Sequence, residues 1–376
     1  MTGPTTIGVV GLGTMGQGIV QVYAQAGFNV VATDDMQSTR VAALPHLHAR
    51  LTDRVNAGKL AADVRDAMLA RIRIVDDVNG MGNATLVIEA IIETLDAKRH
   101  LFSQLEQVVD RDTVLATNTS SLSIGAIASG MKHADRLVGL HFFNPAPVMK
   151  LVELVALAAT DTGALTKARN LTEAAGKTVI ACADRPGFIV NRCARPFYGE
   201  ALALLEEGRS AADIDASMMA AGYRLGPFSL IDLIGADINL AATRGLAAAM
   251  DQHPRYHVFD ALVAQVASGD LGRKTGRGFV FPETPGKAPG DVANIVLRIE
   301  ATLANEAATL LAEGSVDVAG IETAMKLGLN FPRGPFESAR GHGFPVIHAT
   351  LDALDAAAPP HLKGRYTIAH ALETMS

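Results

Sequence analysis

The sequence predicts a doubly wound parallel α/β domain over residues 1–185, followed by two all-α domains over residues 186–285 and 290–376. Three observations lead to this prediction. The first part alternates short β-branched runs with helical patterns, which is typical of a parallel sheet covered by helices. The rest has helical periodicity with hardly any strand pattern, and it contains an internal repeat. A segment rich in Pro and Gly, residues 284–291, separates the two copies.

Composition and charge exclude several classes of protein. The chain has 376 residues, of which 49% are apolar and 19% are charged, as in a globular protein with more than one domain. The net charge is 33 − 39 = −6 without a long basic run, so nucleic-acid binding is not favoured. Cys182 and Cys193 have neither metal nor disulfide spacing, and no apolar run approaches the ~20 residues of a membrane span. We expect a soluble cytoplasmic protein without a metal site.

The beginning of the chain has the pattern of a dinucleotide-binding turn. The strand-like run TTIGVV leads into GLGTMG, and an apolar helical pattern follows. Gly11 allows the tight turn, Gly13 lets the backbone approach a pyrophosphate, and Gly16 lets the helix pack closely on the strand. Thr14 and Met15 stand in the first turn of this helix, where free N–H groups favour phosphate.

A second predicted strand, NVVAT, ends at Asp34, 23 residues after Gly11. This is close to the ~20 residues expected of a carboxylate that binds the ribose diol. The carboxylate would repel a 2′-phosphate and no arginine immediately follows it, so NAD is favoured over NADP. A glycine-rich turn alone could be an ordinary connection. The ordered series of strand, glycines, helix, strand and acid predicts a Rossmann-type domain.

Polar side chains follow the next two predicted strands, ATLVIEA and TVLATN. Ligands of doubly wound sheets bind beyond the carboxyl ends of the strands, so residues at these ends are candidates for the site. The candidates are Glu89, Ala90, Glu93, Asn118, Ser120 and Ser121. The Asn-Thr-Ser-Ser run could also be only a helix cap.

A charged segment, residues 38–78, has a helical pattern that breaks at NAGKLAADV. It could be a plain helical hairpin inserted between the early strands. It could also project beside the active site and hold a large substrate through Lys59.

The strongest catalytic candidate is a histidine in a predicted hairpin. RLVGLHFF and MKLVELVAL are strand-like and NPAP must turn between them. If the turn is centred near residue 147, His141 and Glu153 lie opposite one another, close enough for their side chains to touch. A histidine held by a buried carboxylate is a standard general base.

Four segments together carry a family resemblance: GLGTMGQGIVQVYAQAG, NTSSLSI, RLVGLHFFNPAPVMKLVEL and DRPGFIVNR. They resemble the L-3-hydroxyacyl-CoA dehydrogenase family, which oxidises the 3-hydroxyl of a (3S)-hydroxyacyl-CoA to a ketone with NAD as acceptor. The resemblance covers residues from about 6 to about 282. It implies that His141 is the catalytic base, that Glu153 orients it, and that Ser120 and Asn191 contact the reacting oxygens of the substrate.

The same resemblance assigns further contacts to the cofactor and the substrate. Glu93, Lys98 and Asn144 match positions that contact NAD, as does Lys274 in GRKTGRGF. Lys59 resembles a position that contacts the CoA part of the acyl-CoA thioester. The resemblance also implies a place in β-oxidation or related fatty-acid metabolism, with any enoyl-CoA hydratase partner on a separate chain.

The second part of the chain is duplicated. ADIDASMMAAGYRLGPFSLIDLIG recurs loosely as AGIETAMKLGLNFPRGPFESARGHG. Before each copy, corresponding residues are Arg192 with Arg298 and Glu200 with Glu306. Asn191 falls opposite Leu297, so the second copy is degenerate. Short members of the family dimerise through one such domain, so the fused copy predicts a monomeric pseudo-dimer, with a homodimer as the alternative.

Other functions remain open at this point. GLGTMG also resembles the 3-hydroxyisobutyrate and 6-phosphogluconate dehydrogenase group, but the matching stretch lacks the lysine which that chemistry uses. A non-catalytic NAD-binding protein is possible, as lens crystallins derived from the family show. A hydroxy-acid or sugar-acid dehydrogenase of the crystallin-related branch would act without CoA. Turnover of CoA thioesters but not of free acids distinguishes these alternatives.

Overall fold

The computed structural model describes residues 5–375, which form two compact units. Unit 1 extends to Arg185 and unit 2 begins at Pro186. The predicted fold class is confirmed, because unit 1 is an α/β structure and unit 2 is helical. Within residues 5–375, no helix is long and apolar enough to cross a membrane. The division of the helical part into two domains stays a prediction.

Unit 1 is built on a sheet to which eight strands contribute. The strands are β1 (Thr6–Val10), β2 (Asn29–Thr33), β3 (Ile72–Ile74), β4 (Leu86–Glu89), β5 (Val114–Thr117), β6 (Leu137–Phe142), β7 (Leu151–Ala156) and β8 (Thr178–Ala183). Their order is β3-β2-β1-β4-β5-β6-β7-β8. The neighbouring pairs from β3 to β6 are parallel, β7 is antiparallel to β6, and β8 is parallel to β7. The chain reverses its direction of winding between β1 and β4, which is where such sheets bind ligands.

Helices connect these strands. They are α1 (Thr14–Gln25), α2 (Gln37–Asn56), α3 (Ala62–Leu69), α4 (Leu95–Val108), α5 (Ile124–Ala128) and α6 (Thr162–Ala174). The central strands are apolar and fully buried, as Ile7, Val9, Leu86 and Ile88 illustrate. Such continuous apolar runs are typical of parallel strands that are covered on both faces.

Two strands differ from the sequence prediction. β3 lies in the segment expected to be helical, although α2 and α3 form the expected hairpin around the break. β3 has only three residues and includes the exposed Arg73, so it lacks an apolar run. β8 is an edge strand with a mixed burial pattern, and it had no predicted counterpart. Both strands lie at the edges of the sheet and form by pairing with a stronger neighbour.

Unit 2 consists of helices, most of which are joined by short connections, and its longest connection is residues 268–291. The helices are α7 (Val190–Cys193), α8 (Arg195–Glu206), α9 (Ala211–Ala220), α10 (Pro227–Ile234), α11 (Ala236–Ala249), α12 (Asp260–Ala267), α13 (Val292–Ala312), α14 (Val318–Leu329), α15 (Pro335–His342), α16 (Phe344–Ala357) and α17 (His370–Glu373). α13 is the central helix, with buried residues on all sides such as Ile299, Ala304 and Glu306. The Pro- and Gly-rich segment 284–291 lies outside regular structure.

The two copies of the repeat fold in the same way. Each GPF motif begins a short helix, α10 in the first copy and α15 in the second. The preceding helix supplies an acid that accepts a first-turn N–H of this helix. Asp215 Oδ2 accepts from Ser229 N at 2.7 Å, and Glu322 Oε1 accepts from Glu337 N at 2.8 Å.

The residues that correspond between the copies bind each other reciprocally. Arg192 Nε donates to Glu306 at 2.7 Å, and Arg298 Nε donates to Glu200 at 2.6 Å. Both glutamates are fully buried. Each carboxylate also accepts a hydrogen bond from a tyrosine hydroxyl. Tyr256 donates to Glu306, and Tyr366 donates to Glu200. In a two-fold interface between identical surfaces, the same pair of residues makes contact twice, once in each direction. The two arginine–glutamate pairs follow this pattern within one chain.

Candidate active site

The glycine turn follows β1 and has the geometry that the spacing predicts. Gly11 has φ +99°, and a Cβ there would lie 2.4 Å from the carbonyl oxygen of Ala90. A Cβ on Gly16 would lie 1.8 Å from Gly11 O, so helix and turn can pack only without a side chain. A Cβ on Gly13 would meet no described atom within 4 Å. The turn is therefore tightly packed at Gly11 and Gly16 and open at Gly13, where a phosphate would approach.

The N-terminus of α1 supplies donors to that open side. Gly13 is the N-cap residue and provides no side-chain cap, and the first turn contains no acidic residue. The N–H groups of Thr14, Met15 and Gly16 precede the first intrahelical hydrogen bond, which Gln17 N donates to Gly13 O at 3.0 Å. Unpaired N–H groups and the positive end of the helix dipole stabilise an anion here.

Asp34 stands at the end of β2, with its carboxylate turned toward the glycine turn. Its Oδ2 accepts from Leu12 N at 2.8 Å and its Oδ1 accepts from Met36 N at 2.9 Å. Arg40, which the sequence analysis did not consider, donates to the main-chain oxygen of Asp34 at 2.6 Å. Each carboxylate oxygen retains acceptor capacity for a ribose hydroxyl. The glycine turn, the uncapped helix and this acid fit a dinucleotide.

A buried ion pair follows β4. Lys98 on α4 is 1% exposed, and its Nζ donates to Glu89 Oε1 at 2.5 Å. The other oxygen of Glu89 accepts from Thr117 Oγ1 on β5 at 2.6 Å. Lys98 also lies close to Glu93, and its expected contact with NAD stays a prediction.

One of these carboxylates, Glu93, organises the loop after β5. Lys98 lies 3.1 Å from it, and Thr119 Oγ1 and Ser120 N donate to its Oε1 at 2.6 Å and 3.0 Å. Burial alone would raise the pKa of Glu93, but the Lys98 ammonium and these hydrogen bonds hold the pKa below its ordinary value. Glu93 therefore stays ionised and fixes the loop that carries the exposed Ser120.

The predicted hairpin places the histidine and its acid opposite each other. His141 on β6 pairs in register with Glu153 on β7. His141 Nδ1 lies 2.6 Å from Glu153 Oε2, the histidine is 6% exposed, and the glutamate is fully buried. The pair lies near the carboxyl end of β6, at the same edge of the sheet as the glycine turn and Glu93.

This geometry suits proton transfer. A carboxylate on Nδ1 fixes the tautomer and ring orientation, so acid–base chemistry of this ring would pass through Nε2. The negative charge of Glu153 stabilises the imidazolium that forms when the ring accepts a proton. Asn118 supports the same edge, because its Oδ1 accepts from Phe142 N at 2.9 Å and ties the end of β5 to β6.

The remaining predicted residues lie on loops or in unit 2. Asn144 and Lys59 are exposed on loops of unit 1, Lys59 in the connection between α2 and α3. Asn191 stands in the first turn of α7. Lys274 pairs with Asp237 at 2.5 Å on an exposed part of unit 2. Their proposed contacts with cofactor and substrate stay predictions.

Family models match almost the whole chain. The model described as "3-hydroxyacyl-CoA dehydrogenase, NAD binding domain" matches residues 6–185. The model described as "3-hydroxyacyl-CoA dehydrogenase, C-terminal domain" matches twice, at residues 187–281 and 295–375. The second match coincides with the second copy of the repeat.

Curated relatives and solved structures agree with these matches. The chain is 46% identical to the 3-hydroxyadipyl-CoA dehydrogenase of Escherichia coli K12 over 277 residues, which are 73% of this chain and 58% of that protein. It is 37% identical to the 3-hydroxybutyryl-CoA dehydrogenase of Mycobacterium tuberculosis over 278 residues, 73% of this chain and 96% of that one. A crystal structure of 3-hydroxybutyryl-CoA dehydrogenase from E. coli K12 superposes with TM-score 0.91 and 32% identity, covering 99% of this chain and 98% of the other.

Proposed function

Because the chain belongs to the 3-hydroxyacyl-CoA dehydrogenase family, we propose that it oxidises the 3-hydroxyl of a (3S)-hydroxyacyl-CoA thioester to the ketone, reversibly, with His141 as general base. The chain is an NAD-dependent oxidoreductase of this family. The observation that carries the assignment of the base is the buried 2.6 Å contact between His141 Nδ1 and Glu153. It lies at the edge of the sheet that also carries the dinucleotide turn.

The proton moves through His141. In the oxidative direction Nε2 accepts the proton of the substrate hydroxyl, and the Glu153 carboxylate stabilises the resulting cation. In the reductive direction the protonated ring returns this proton to the oxygen at C3. When bound, NAD supplies the acceptor for the hydrogen and two electrons that leave C3.

Other residues position the reactants. We assign Ser120 and Asn191 to the reacting oxygens, since a hydroxyl and an amide can each donate to a developing oxyanion. Glu93, ionised and held by Lys98, keeps the Ser120 loop in place. Gly11, Gly13, Gly16 and their helix would hold the pyrophosphate. We also assign NAD contacts to Thr14, Met15, Asp34, Ala90, Glu93, Lys98, Asn118, Ser120, Asn144 and Lys274, and a CoA contact to Lys59.

The E. coli relative is named for a thioester with a six-carbon dicarboxylic acyl group. The M. tuberculosis relative is named for a thioester with a four-carbon acyl group that has no second carboxylate. The chain spans only 58% of the length of the E. coli relative. The acyl group that this protein accepts is therefore proposed below from its own residues. A role in fatty-acid metabolism agrees with the family. A separate enoyl-CoA hydratase as the pathway partner is likewise proposed.

The activity is tested with acetoacetyl-CoA and NADH, followed as loss of NADH absorbance. We expect turnover with this pair and little with NADPH or with free acetoacetate. Equal turnover of free acetoacetate would favour a dehydrogenase that acts without CoA. Binding of NADH without turnover of any 3-oxoacyl thioester would favour a non-catalytic role.

We further propose that the protein works as a monomeric pseudo-dimer. The reciprocal pairs Arg192–Glu306 and Arg298–Glu200 support this, because they occupy within one chain the kind of surface that a two-fold dimer buries between subunits. Sedimentation equilibrium should give the mass of one chain, 39.4 kDa. A stable species of twice that mass at micromolar concentration would contradict the proposal.

A further inference from the structure

A buried arginine at the start of α8 has no acidic partner. Arg195 is 8% exposed, and it forms no ion pair with any carboxylate of residues 5–375. The other buried arginines of unit 2 differ in this respect. Arg192 binds Glu306 and Arg365 binds Glu200. A buried cation without a counter-charge is costly, so its retention calls for a partner.

The contacts of Arg195 hold its side chain in one orientation. Nε donates to the main-chain oxygen of Asn191 at 3.0 Å, and Nη1 donates to Thr243 Oγ1 at 3.1 Å. The guanidinium also lies over the ring of Tyr198, 4.8 Å from its centroid. Burial lowers the pKa of Arg195, and the Tyr198 side chain only partly offsets this. An arginine remains charged at neutral pH all the same. Nη2 donates no hydrogen bond to any described residue.

Thr243, the hydroxyl partner of Arg195, stands on α11. A small cavity lies beside the guanidinium. Its lining includes Arg195, Tyr198, Thr243, His257, Phe259 and Leu262.

We propose that Arg195 binds the terminal carboxylate of a dicarboxylyl-CoA substrate and thereby determines the specificity for the acyl group. The guanidinium presents parallel N–H donors that match the two oxygens of a carboxylate. A carboxylate would also supply the charge that no described residue gives to Arg195. A purely aliphatic acyl chain would leave this cation buried and unpaired.

The inference rests on the proposed function, in which Asn191 holds the oxygen at C3 of the substrate. Arg195 follows Asn191 by four residues, which span about 6 Å at the helical rise, and it already touches the main chain of that residue. Three carbon–carbon bonds separate C3 from C6 of the acyl chain. In an extended chain they span about 3.8 Å, the same distance as the three bonds between consecutive Cα atoms. A carboxylate as C6, with hydrogen-bond distance added, therefore reaches the guanidinium. The preferred acyl group is a six-carbon dicarboxylic one.

The test compares two thioesters of equal chain length, 3-oxoadipyl-CoA and 3-oxohexanoyl-CoA, with NADH as the reductant. For the native chain we expect a higher kcat/KM with 3-oxoadipyl-CoA. Arg195→Met should lower the ratio of the two kcat/KM values by about 10- to 150-fold, as loss of a hydrogen-bonded charge does. The effect should appear mainly in KM of the dicarboxylyl thioester, and Arg195→Lys should retain part of the ratio.

Arg244→Met is the matched control, because it removes an exposed arginine of α11 that is not among the residues lining this cavity. It should leave the ratio unchanged. An equal loss with both thioesters in Arg195→Met and Arg195→Lys would mean that Arg195 only supports the fold, and would overturn the proposal. So would a native preference for 3-oxohexanoyl-CoA. Turnover of 3-oxohexanoyl-CoA by NADH upholds the dehydrogenase function in either case, whereas inactivity with both thioesters contradicts that function itself.

Discussion

His141→Gln lowers kcat for thioester reduction at least about 100-fold, which is the low end of general acid–base contributions. The amide N–H of glutamine can still donate a hydrogen bond to the Glu153 carboxylate, so the hairpin keeps its pairing. It cannot take up the proton that the reaction moves. The measurement is steady-state reduction of acetoacetyl-CoA, together with NADH binding followed by fluorescence.

NADH binding should be unaffected in this variant, because the glycine turn and Asp34 are intact. His133→Gln is a suitable control, since it removes an exposed histidine of the same unit. Near-normal turnover in His141→Gln would remove this residue from the mechanism. Loss of NADH affinity together with activity would instead indicate that the substitution had disturbed the fold of unit 1.

Glu306→Gln should destabilise unit 2 by about 3–5 kcal/mol, the usual cost of breaking a buried ion pair from one side. The carboxylate is fully buried and accepts from Arg192 and Tyr256, both at 2.7 Å, and from Arg255 at 3.3 Å. Removing its charge leaves Arg255 without an acidic partner among the described residues and leaves Arg192 with only the partly exposed Glu313. Urea denaturation followed by circular dichroism measures the change as a lower midpoint.

Glu200→Gln should have an effect of similar size, because Glu200 occupies the corresponding position in the other copy. Glu373→Gln serves as the control, since Glu373 is exposed and pairs only with the exposed His370. If Glu306→Gln shifted the midpoint no more than this control, the reciprocal ion pairs would not stabilise the helical unit.

Local sequence patterns were sufficient to predict the centre of the sheet and the pairing of His141 with Glu153. β-branched runs mark β1, β2, β4 and β5, and the turn at NPAP determines the register that brings His141 to Glu153. This register depends only on residues within one hairpin. β3 and β8 escaped prediction because each forms at an edge of the sheet by pairing, and pairing partners distant in sequence leave no local pattern.

Contacts between residues that lie far apart in the sequence could not be predicted. Nothing in the spacing indicates that Lys98 lies 1% exposed against Glu89. The repeat indicated that Arg192 corresponds to Arg298 and that Glu306 corresponds to Glu200. Their mutual contact joins residues 114 positions apart, so it required the packing of α13 to become visible.

The central claim is that this chain transfers hydrogen from NADH to C3 of a CoA thioester. The most direct measurement is reduction of acetoacetyl-CoA with NADH that carries deuterium on one or the other face of C4, with the product analysed by mass spectrometry and chiral chromatography. We predict (3S)-3-hydroxybutyryl-CoA with one deuterium at C3, from only one of the two labelled cofactors. Product without deuterium at C3 from either cofactor would contradict the claim.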